Sequence, residues 1–386
     1  MNLVALKMLL GDKLKYIALV AGLAFAALLV TQQASIFTGY AKRTGAWIRD
    51  TGAADLWVMD PQLEFTEDRK PLLDTALSRV RGVDGVEWAV PLYKGWLRTR
   101  LPDGTLVTTR VIGLDDATLV GAPPEMIEGQ LEDLRRDRTI FVHADQVGDA
   151  LRLREPFAGE GPRPLRVGDV VSINDHQLEV AGVYRSTAEF FWDPLIFTTY
   201  SRALSIAPAE RKQNSFVLVK VRPGEDVALV AERIGSSTGL VARTPEEFES
   251  VTMNFVLSKT GILINFGVTI VLGFVVGALA AGQTFYMFVL DHLRHYATIK
   301  AMGASTWMLI RMVALQVSVV ATIGYGIGVG AAAAAGVLTR GTGLAFEMPW
   351  QVPVLGGFAI LFCALAAGLL GLVRVLRVEP AVVFKG

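Results

Sequence analysis

A short charged segment between two long apolar runs constrains this chain more than any other feature. Residues 291–305 read DHLRHYATIKAMGAS, with the almost uncharged residues 261–290 before them and a second apolar run after Arg311. Each apolar run exceeds the roughly 20 residues with which a helix crosses a bilayer. A turn that only reversed the chain would be a few Gly, Asn and Pro residues. We therefore expect an amphipathic helix at the membrane surface, placed to contact something outside the membrane.

The composition is that of a multi-pass membrane protein with one large polar insertion. Of the 386 residues, 52% are hydrophobic, and the mean hydropathy is +0.42. Basic and acidic residues balance at 37 each, which gives no indication of nucleic-acid binding. We predict transmembrane helices at residues 16–37, 261–290, 306–338 and 352–373. The insertion, residues 38–260, carries most of the charges and is large enough to fold as a domain.

The insertion is predicted to be an α+β extracytoplasmic domain, since strand and helix patterns alternate along it. A hairpin is indicated where two alternating runs flank Pro102, Asp103 and Gly104. Residues 114–165 are charged and rich in Pro and Gly, which suggests a second lobe. The aromatic run EFFWDP at residues 189–194 is expected to be core, with an exposed docking or lipid-contacting edge as the alternative.

Positive charges near the span ends predict the orientation in the membrane. Basic residues cluster before the first span, between spans two and three, and after the fourth: Lys7, Lys13, Lys15, Arg294, Lys300, Arg311, Arg374, Arg377 and Lys385. This places both termini and residues 291–305 in the cytoplasm, residues 374–386 forming a cytoplasmic tail. Lys42, Arg43 and Arg49 after the first span count against this orientation.

The first fifteen residues are predicted to be an amphipathic interfacial helix, with a cytoplasmic extension of the first span as the alternative. Leu3, Leu6, Leu9, Leu10 and Leu14 recur at helical spacing, opposite lysines. The first apolar segment lacks a small-residue cleavage site, so we expect a retained span rather than a signal peptide. The single cysteine, Cys363, lies in the fourth span and excludes an internal disulfide.

Glycines at four-residue spacing predict close helix packing in spans two and three. The pairs are Gly273 with Gly277, Gly324 with Gly328, and Gly326 with Gly330. The pattern does not distinguish packing within one subunit from a dimer seam.

The motifs of nucleotide binding, metal binding and hydrolytic catalysis are absent from the sequence. It contains no GxxxxGK[ST], CxxC, HExxH or GxSxG. His292 and His295 lack a carboxylate cluster and are expected to be solvated or partner-contacting, so we predict no metal site. No ionisable residue lies within the spans away from their ends, whereas an ion-coupled carrier would need one. We expect a non-enzyme without its own cofactor, driven by an energy source in another chain.

The layout and two motifs resemble a known family. One span, a large outer domain and three further spans resemble the FtsX/MacB-type permeases of ABC transporters. Residues 299–304, IKAMGA, are similar to the motif that follows the coupling helix in that family. The ending RVLRVEPAVVF resembles the family's closing signature, with Arg377, Glu379, Pro380 and Ala381 in place. DHLxxYATxKAMG, preceded by GFVVG and Gln283-Thr284, is most similar to the DevC branch, the heterocyst-glycolipid-type exporters.

The resemblance implies a homodimeric inner-membrane permease with a MacB-like periplasmic domain. Two copies of a separate cytoplasmic ATPase would bind ATP and Mg²⁺. A periplasmic HlyD-type adaptor, a TolC-type outer-membrane channel and a lipid or other amphiphilic substrate are the further partners implied. In such proteins ATP-driven closure moves the outer domains without a pore between the spans, which is mechanotransmission.

The resemblance also assigns residue roles. Leu293, Tyr296 and Ile299 would be apolar anchors in the ATPase cleft, and Asp291, Arg294 and His295 the polar rim. Gly303 would allow the tight turn into the third span. The full predicted coupling set is Asp291, His292, Leu293, Arg294, His295, Tyr296, Thr298, Ile299, Lys300, Met302 and Gly303. Arg377, Glu379 and Pro380 are expected near the same interface.

Other functions fit the same pattern. The lever could export haem, a macrolide or a peptide, because the coupling motifs do not specify the substrate. A non-transporting, FtsX-like regulator of a cell-wall hydrolase is a second alternative, against which the large outer domain counts. A ligand sensor is a third, and the coupling segment argues against it.

Overall fold

The structure, a computed structural model, describes residues 2–68, 70–154, 161–190, 193–209, 214–339 and 344–376. The chain divides into a helical unit, Met1–Tyr40 with Gly261–Gly386, and an α+β unit, Ala41–Thr260. The helices are α1 (Asn2–Gly11), α2 (Lys13–Thr44), α3 (Ala46–Asp50), α4 (Ala76–Arg81), α5 (Ala144–Val147), α6 (Tyr200–Ile206), α7 (Val227–Thr238), α8 (Pro245–Lys259), α9 (Ile262–Asp291), α10 (Leu293–Ala301), α11 (Thr306–Leu338) and α12 (Gln351–Leu376). The strands are β1 (Leu56–Met59), β2 (Val86–Arg100), β3 (Leu106–Leu114), β4 (Glu125–Glu128), β5 (Thr139–His143), β6 (Val170–Ile173), β7 (His176–Arg185), β8 (Leu195–Thr199), β9 (Phe216–Val221) and β10 (Val241–Arg243).

Four helices in the described parts of the chain are long and apolar enough to cross a membrane, which confirms the predicted fold class. They are Lys13–Thr44, Ile262–Asp291, Thr306–Leu338 and Gln351–Val373. The first helix is longer than the predicted residues 16–37. The polar residues after position 37 include no proline, so the helix continues through them.

Span two packs against α2 through the predicted glycines. A Cβ added at Gly273 would lie 2.9 Å from the Cβ of Leu29, and one at Gly277 would overlap Ala26. Both glycines are buried. The backbones of α9 and α2 therefore approach closely within one chain, as small residues permit in a membrane.

Span three also packs closely against α2, through Gly324 and Gly328. An added Cβ at Gly324 would lie 2.9 Å from the Cβ of Leu23, and one at Gly328 would overlap the backbone of Ala24. A Cβ at Gly326 or Gly330, by contrast, would meet nothing within 4 Å. The 324/328 pair thus serves packing within the chain, whereas the 326/330 pair faces away from it.

The N-terminal segment forms the separate helix α1, which divides its apolar side chains between two environments. Met8 and Leu9 are buried in the core of the helical unit. Leu3 and Leu10 stay largely exposed. The segment is therefore attached to the bundle through part of its apolar surface, which the leucine spacing alone did not indicate.

The α+β unit contains one mixed ten-stranded sheet. Its order is β10-β1-β9-β2-β3-β8-β5-β7-β4, and β6 pairs with β2 and β7. The β3–β8 and β5–β7 pairs are parallel, and the other pairs are antiparallel. The predicted hairpin is confirmed: β2 and β3 pair from Arg100↔Leu106, and Gly104 adopts a φ of +84° in the turn.

The described residues 114–154 and 161–165 belong to the same compact unit as the rest of the sheet and do not form the suggested second lobe. Their strand β5 lies between β8 and β7 in the common sheet. Its side chains, including Phe141 and Val142, are fully buried. A charged and Pro/Gly-rich sequence here reflects the loops around β5, while the strand itself supplies core residues.

Two helices at the ends of this unit share its aromatic core. Trp47 of α3 and Phe248 of α8 both pack against Trp57 of β1, with ring centroids 5.1 and 5.5 Å apart. Phe216 of β9 contacts the same ring at 5.5 Å. The segments that continue into spans one and two are thus fixed to the sheet by large aromatic contacts.

A buried charge network lies beside this core. The Arg110 side chain, 1% exposed, forms ion pairs with Glu67 and Glu189, and Lys94 Nζ lies 2.5 Å from Glu67 Oε1. Burial raises the pKa of Glu67, but the charges of Lys94 and Arg110 outweigh this and hold that pKa below its usual value. Glu189, from the predicted core run, is therefore a largely buried ion-pair partner of Arg110. Phe191 and Trp192 of that run lie outside the described residues.

The helix packing predicts unequal effects of one substitution at two glycines. Gly277→Leu should destabilise the helical unit by about 1–3 kcal/mol, because the side chain would overlap α2. Gly326→Leu, which points into open space, should leave stability nearly unchanged. The thermal midpoint of the full chain in detergent measures both. Equal losses would contradict the packing described.

The charge network predicts an acid-dependent loss of stability. Because the folded-state pKa of Glu67 is below the unfolded value near 4.5, its contribution is complete above that value and disappears as pH falls through the folded-state pKa. Glu67→Gln should reduce this pH dependence and cost roughly 1.5–3 kcal/mol at neutral pH. Urea unfolding of the full chain, followed by tryptophan fluorescence between pH 3 and 7, measures it.

The matched control is Glu87→Gln, at an exposed position of β2. It should retain the acid-dependent loss. If Glu67→Gln retained it in full as well, the ion pairs of Glu67 would not be its source.

Candidate functional site

The charged segment forms a compact helical turn between α9 and α11. α10 follows α9 after His292, and the backbone N–H of Gly303 donates to the Lys300 carbonyl at 3.1 Å. Gly303 has a φ of +94°, which side-chain-bearing residues rarely adopt. Ser305 then caps α11 by accepting a hydrogen bond from the Met308 N–H. The tight turn predicted at Gly303 is present.

The three side chains assigned as anchors for a partner face the chain's own bundle. Tyr296 is fully buried, Ile299 is 7% exposed, and Leu293 packs against the same core. The prediction that these three side chains point outward and anchor a partner was therefore wrong, because they point toward the helical core of their own chain. A nine-residue helix at the end of two spans buries its apolar stripe against those spans, and this fixes its orientation.

Tyr296 is held by a polar contact as well as by packing. Its hydroxyl donates to Gln316 Oε1 of α11 at 2.9 Å. Burial raises the pKa of Tyr296 to about 12, because desolvation disfavours the charged phenolate.

The opposite side of the turn is exposed. Asp291, Arg294, His295 and Thr298 are all solvent-facing, as a polar rim requires. Met302 and Trp307 are 74% and 71% exposed, unusually open for large apolar side chains. We call the exposed side chains of Arg294, His295, Thr298, Met302 and Trp307 the turn surface.

Trp307 was not among the predicted site residues. It follows the IKAMGA motif by three positions, at the start of an apolar span, where tryptophan is common at membrane interfaces. Only its position beside Met302 in sequence, on the exposed side of the turn, connects it with the site. Gln316 was also missed, because only ionisable residues within the spans were considered.

The two histidines of the turn make no metal site with their neighbours. His292 Nδ1 lies 2.8 Å from the Phe288 carbonyl, and the rings of His292 and His295 are 5.6 Å apart. Within the described residues, no group of three His, Cys, Asp or Glu side chains is arranged to hold a metal ion.

The remaining predicted positions divide into two groups. Lys300 is half-buried at the end of α10. Arg377, Glu379 and Pro380 lie outside the described residues, since the last described residue is Leu376 at the end of α12.

Family models match nearly the whole chain. The MacB-like periplasmic core domain matches residues 17–237, more than half of the sequence. The FtsX-like permease C-terminal region matches residues 254–380, which include the turn surface. Residues 238–253, between the two matches, lie just before the boundary between the α+β unit and span two.

Curated relatives are permeases of one transporter class. An uncharacterized ABC transporter permease of Mycobacterium tuberculosis is 25% identical over 328 residues, covering 82% of this chain and 80% of the relative. A second, from Methanocaldococcus jannaschii, is 29% identical over 150 residues, 37% of each chain. A third, from Mycobacterium bovis, is 35% identical over 123 residues, covering 31% of this chain and 33% of the relative.

Two solved structures are similar to part of the chain. The extracellular domain of the noncanonic ABC-type transporter YknZ from Gram-positive bacteria covers 50% of this chain and 98% of its own, with 13% identity and a TM-score of 0.34. The periplasmic region of MacB from Actinobacillus actinomycetemcomitans covers 54% and 96%, with 13% identity and a TM-score of 0.36. Because both TM-scores are low, the family models carry the assignment.

Because Tyr296 points into the helical core and His295 points outward, introducing a carboxylate should destabilise the chain at Tyr296 but not at His295. Tyr296→Asp should destabilise the helical unit by about 2–5 kcal/mol, because it opens a cavity and buries a carboxylate. His295→Asp introduces the same charge at the exposed neighbour and should change stability little. Thermal unfolding of the full chain in detergent compares them; similar midpoints would contradict the inward placement of Tyr296.

Proposed function

Because the chain belongs to the FtsX/MacB family of ABC transporter permeases, we propose that it works by mechanotransmission. ATP hydrolysis in a separate cytoplasmic ATPase would drive motion of the α+β unit through the spans. The family implies the ATPase partner, and this chain contains no nucleotide-binding loop of its own. The motion would export a lipid or another amphiphile.

The turn surface is the observation that carries this proposal. α10 presents one polar, exposed side and is fixed on the other by burial of Tyr296 and Ile299 and by packing of the partly buried Leu293. A partner that pushes on the exposed side therefore acts on the spans themselves. Met302 and Trp307 supply the large apolar contacts that protein interfaces concentrate in a few residues. They take the anchoring role first assigned to the buried side chains.

The composition of the spans also favours a lever over a pore. In the described spans, charged side chains occur only near the helix ends, as at Lys15, Arg43, Asp291 and Arg311. A polar solute would need hydrogen-bonding partners along its path. Rigid apolar helices serve better to transmit motion.

Several finer assignments are part of the proposal. We place both termini and the turn surface in the cytoplasm, because basic residues cluster there. The homodimer is proposed from the resemblance to the family. The DevC branch, with its HlyD-type adaptor and TolC-type channel, is proposed from the motif DHLxxYATxKAMG together with GFVVG and Gln283-Thr284.

Affinity purification of the tagged full chain from its native membrane in mild detergent tests this function. Mass spectrometry should recover an ABC ATPase with an adaptor, and enriched lipids would indicate the cargo. An ATPase recovered with a cell-wall hydrolase and no adaptor would make the chain a regulator, and export would be contradicted.

A substitution in the turn surface should separate binding from folding. Met302→Glu is expected to weaken binding of the recovered ATPase at least roughly tenfold, since it charges an apolar contact. Leu73→Glu, at an equally exposed leucine of the α+β unit, should bind normally. The dissociation constant of the ATPase for each variant, measured with the permease immobilised, tests this prediction. Unchanged binding by Met302→Glu would show that the turn surface is not part of the interface.

A further inference from the structure

We propose that Gln316 is a positioning residue that locks the turn surface to the N-terminal helix α1. Its side-chain amide joins three helices by two hydrogen bonds. The lock itself is a property of the chain, while its use in energy coupling rests on the proposed function. By this inference α1 is a working part of the coupling apparatus as well as a segment at the membrane surface.

The geometry of the lock is specific. Gln316 is fully buried in α11. Its Oε1 accepts from the Tyr296 hydroxyl of α10 at 2.9 Å. Its Nε2 donates to the Ala5 carbonyl of α1 at 2.9 Å. Both ends of one amide are thus used, and each bonds a different helix.

The surroundings make these two bonds matter. Gln316 lies among apolar side chains of the helical core, including Met312, Val313 and Val317. An amide buried without partners there would incur a large desolvation cost. Leucine or methionine would fill the space without that cost. The position of α1 and α10 relative to α11 is therefore tied to satisfying this one side chain.

A second contact ties the N-terminal part of the chain to the residue at which the turn begins. Lys15, at the start of α2, forms ion pairs with Asp12 at 2.9 Å and with Asp291 at the end of α9. The groups are partly exposed, so each ion pair contributes modestly to stability. The chain just before span one is nevertheless tied both to the first residue of the turn and, through Gln316, to its middle.

The consequence concerns how a load on α10 is transmitted. With the lock intact, α10 cannot shift along α11 unless the Tyr296–Gln316 bond breaks or the Gln316 side chain, which is also bonded to Ala5 of α1, moves with it. A displacement of the turn surface is then shared by α1 and α11. Without the lock, apolar packing alone remains, and such packing tolerates small sliding movements.

Hydrogen exchange of the full chain in lipid nanodiscs tests the lock without any partner. Gln316→Met keeps the volume and removes both hydrogen bonds. It should raise amide exchange roughly fivefold in α1 and in α10 together. Tyr296→Phe keeps the ring and should raise exchange in α10 only. The double variant should equal Gln316→Met in α10, since both remove the same bond.

Two variants of the same chemistry serve as controls. Gln283→Met and Tyr286→Phe change an exposed glutamine and a half-buried tyrosine of span two, neither of which takes part in the two hydrogen bonds of the lock. They should leave exchange in α1 and α10 unchanged. If Gln316→Met does not fold, Tyr296→Phe still decides the α10 contact. Exchange in α1 and α10 that is unaffected by Gln316→Met, or is affected equally by Gln283→Met, would overturn the proposal.

The functional arm uses the ATPase recovered with the wild-type chain. Gln316→Met should still co-purify with it and leave the KM for ATP unchanged. The stimulated kcat should fall at least about threefold, a split that mere loss of stability would not produce. If Gln316→Met raised amide exchange in α1 and α10 but left ATPase stimulation normal, the role of Gln316 in coupling would be overturned. If no ATPase binds the wild-type chain, the proposed function fails, and the exchange experiment still decides the lock.

Discussion

Burial of the apolar side of α10 against its own bundle is the interaction on which the account depends. A short helix at a membrane surface has no fixed orientation unless its apolar face is held. Here Leu293, Tyr296 and Ile299 pack into the helical core, and the Tyr296 hydroxyl bonds Gln316. The opposite face is therefore presented to solvent in a defined way. Everything proposed for the turn surface follows from that division.

The two units achieve rigidity by different means. In the helical unit, glycines such as Gly277 and Gly328 bring α9 and α11 into backbone contact with α2. In the α+β unit, a continuous mixed sheet carries an aromatic core and the ion pairs of Arg110. Removing one member of this buried network would leave the remaining charges only partly compensated, which favours one arrangement. Rigid parts are what a lever requires, and a solute pathway does not need them.

The sequence predicts some features well because single local rules determine them. Span number follows from apolar length, the β2–β3 hairpin from Gly104, and the turn after α10 from Gly303. The prediction that the apolar side of α10 contacts a partner was wrong. An apolar stripe shows which residues are buried but does not show which surface covers them. The supposed lobe at residues 114–165 was wrong because strand order in a sheet is a long-range property. The role of Gln316 could not be predicted for the same reason, because its partners Ala5 and Tyr296 are distant from it in the sequence.

The most direct test of the central claim is site-specific photo-crosslinking in native membranes. A photoreactive amino acid at Thr298 or Met302 lies on the turn surface, and one at Leu338 lies exposed at the other end of α11. The account predicts a crosslink to an ABC ATPase from the first two positions and none from Leu338. A crosslink to that ATPase from Leu338, with none from Thr298 or Met302, would contradict both the coupling site and the proposed orientation.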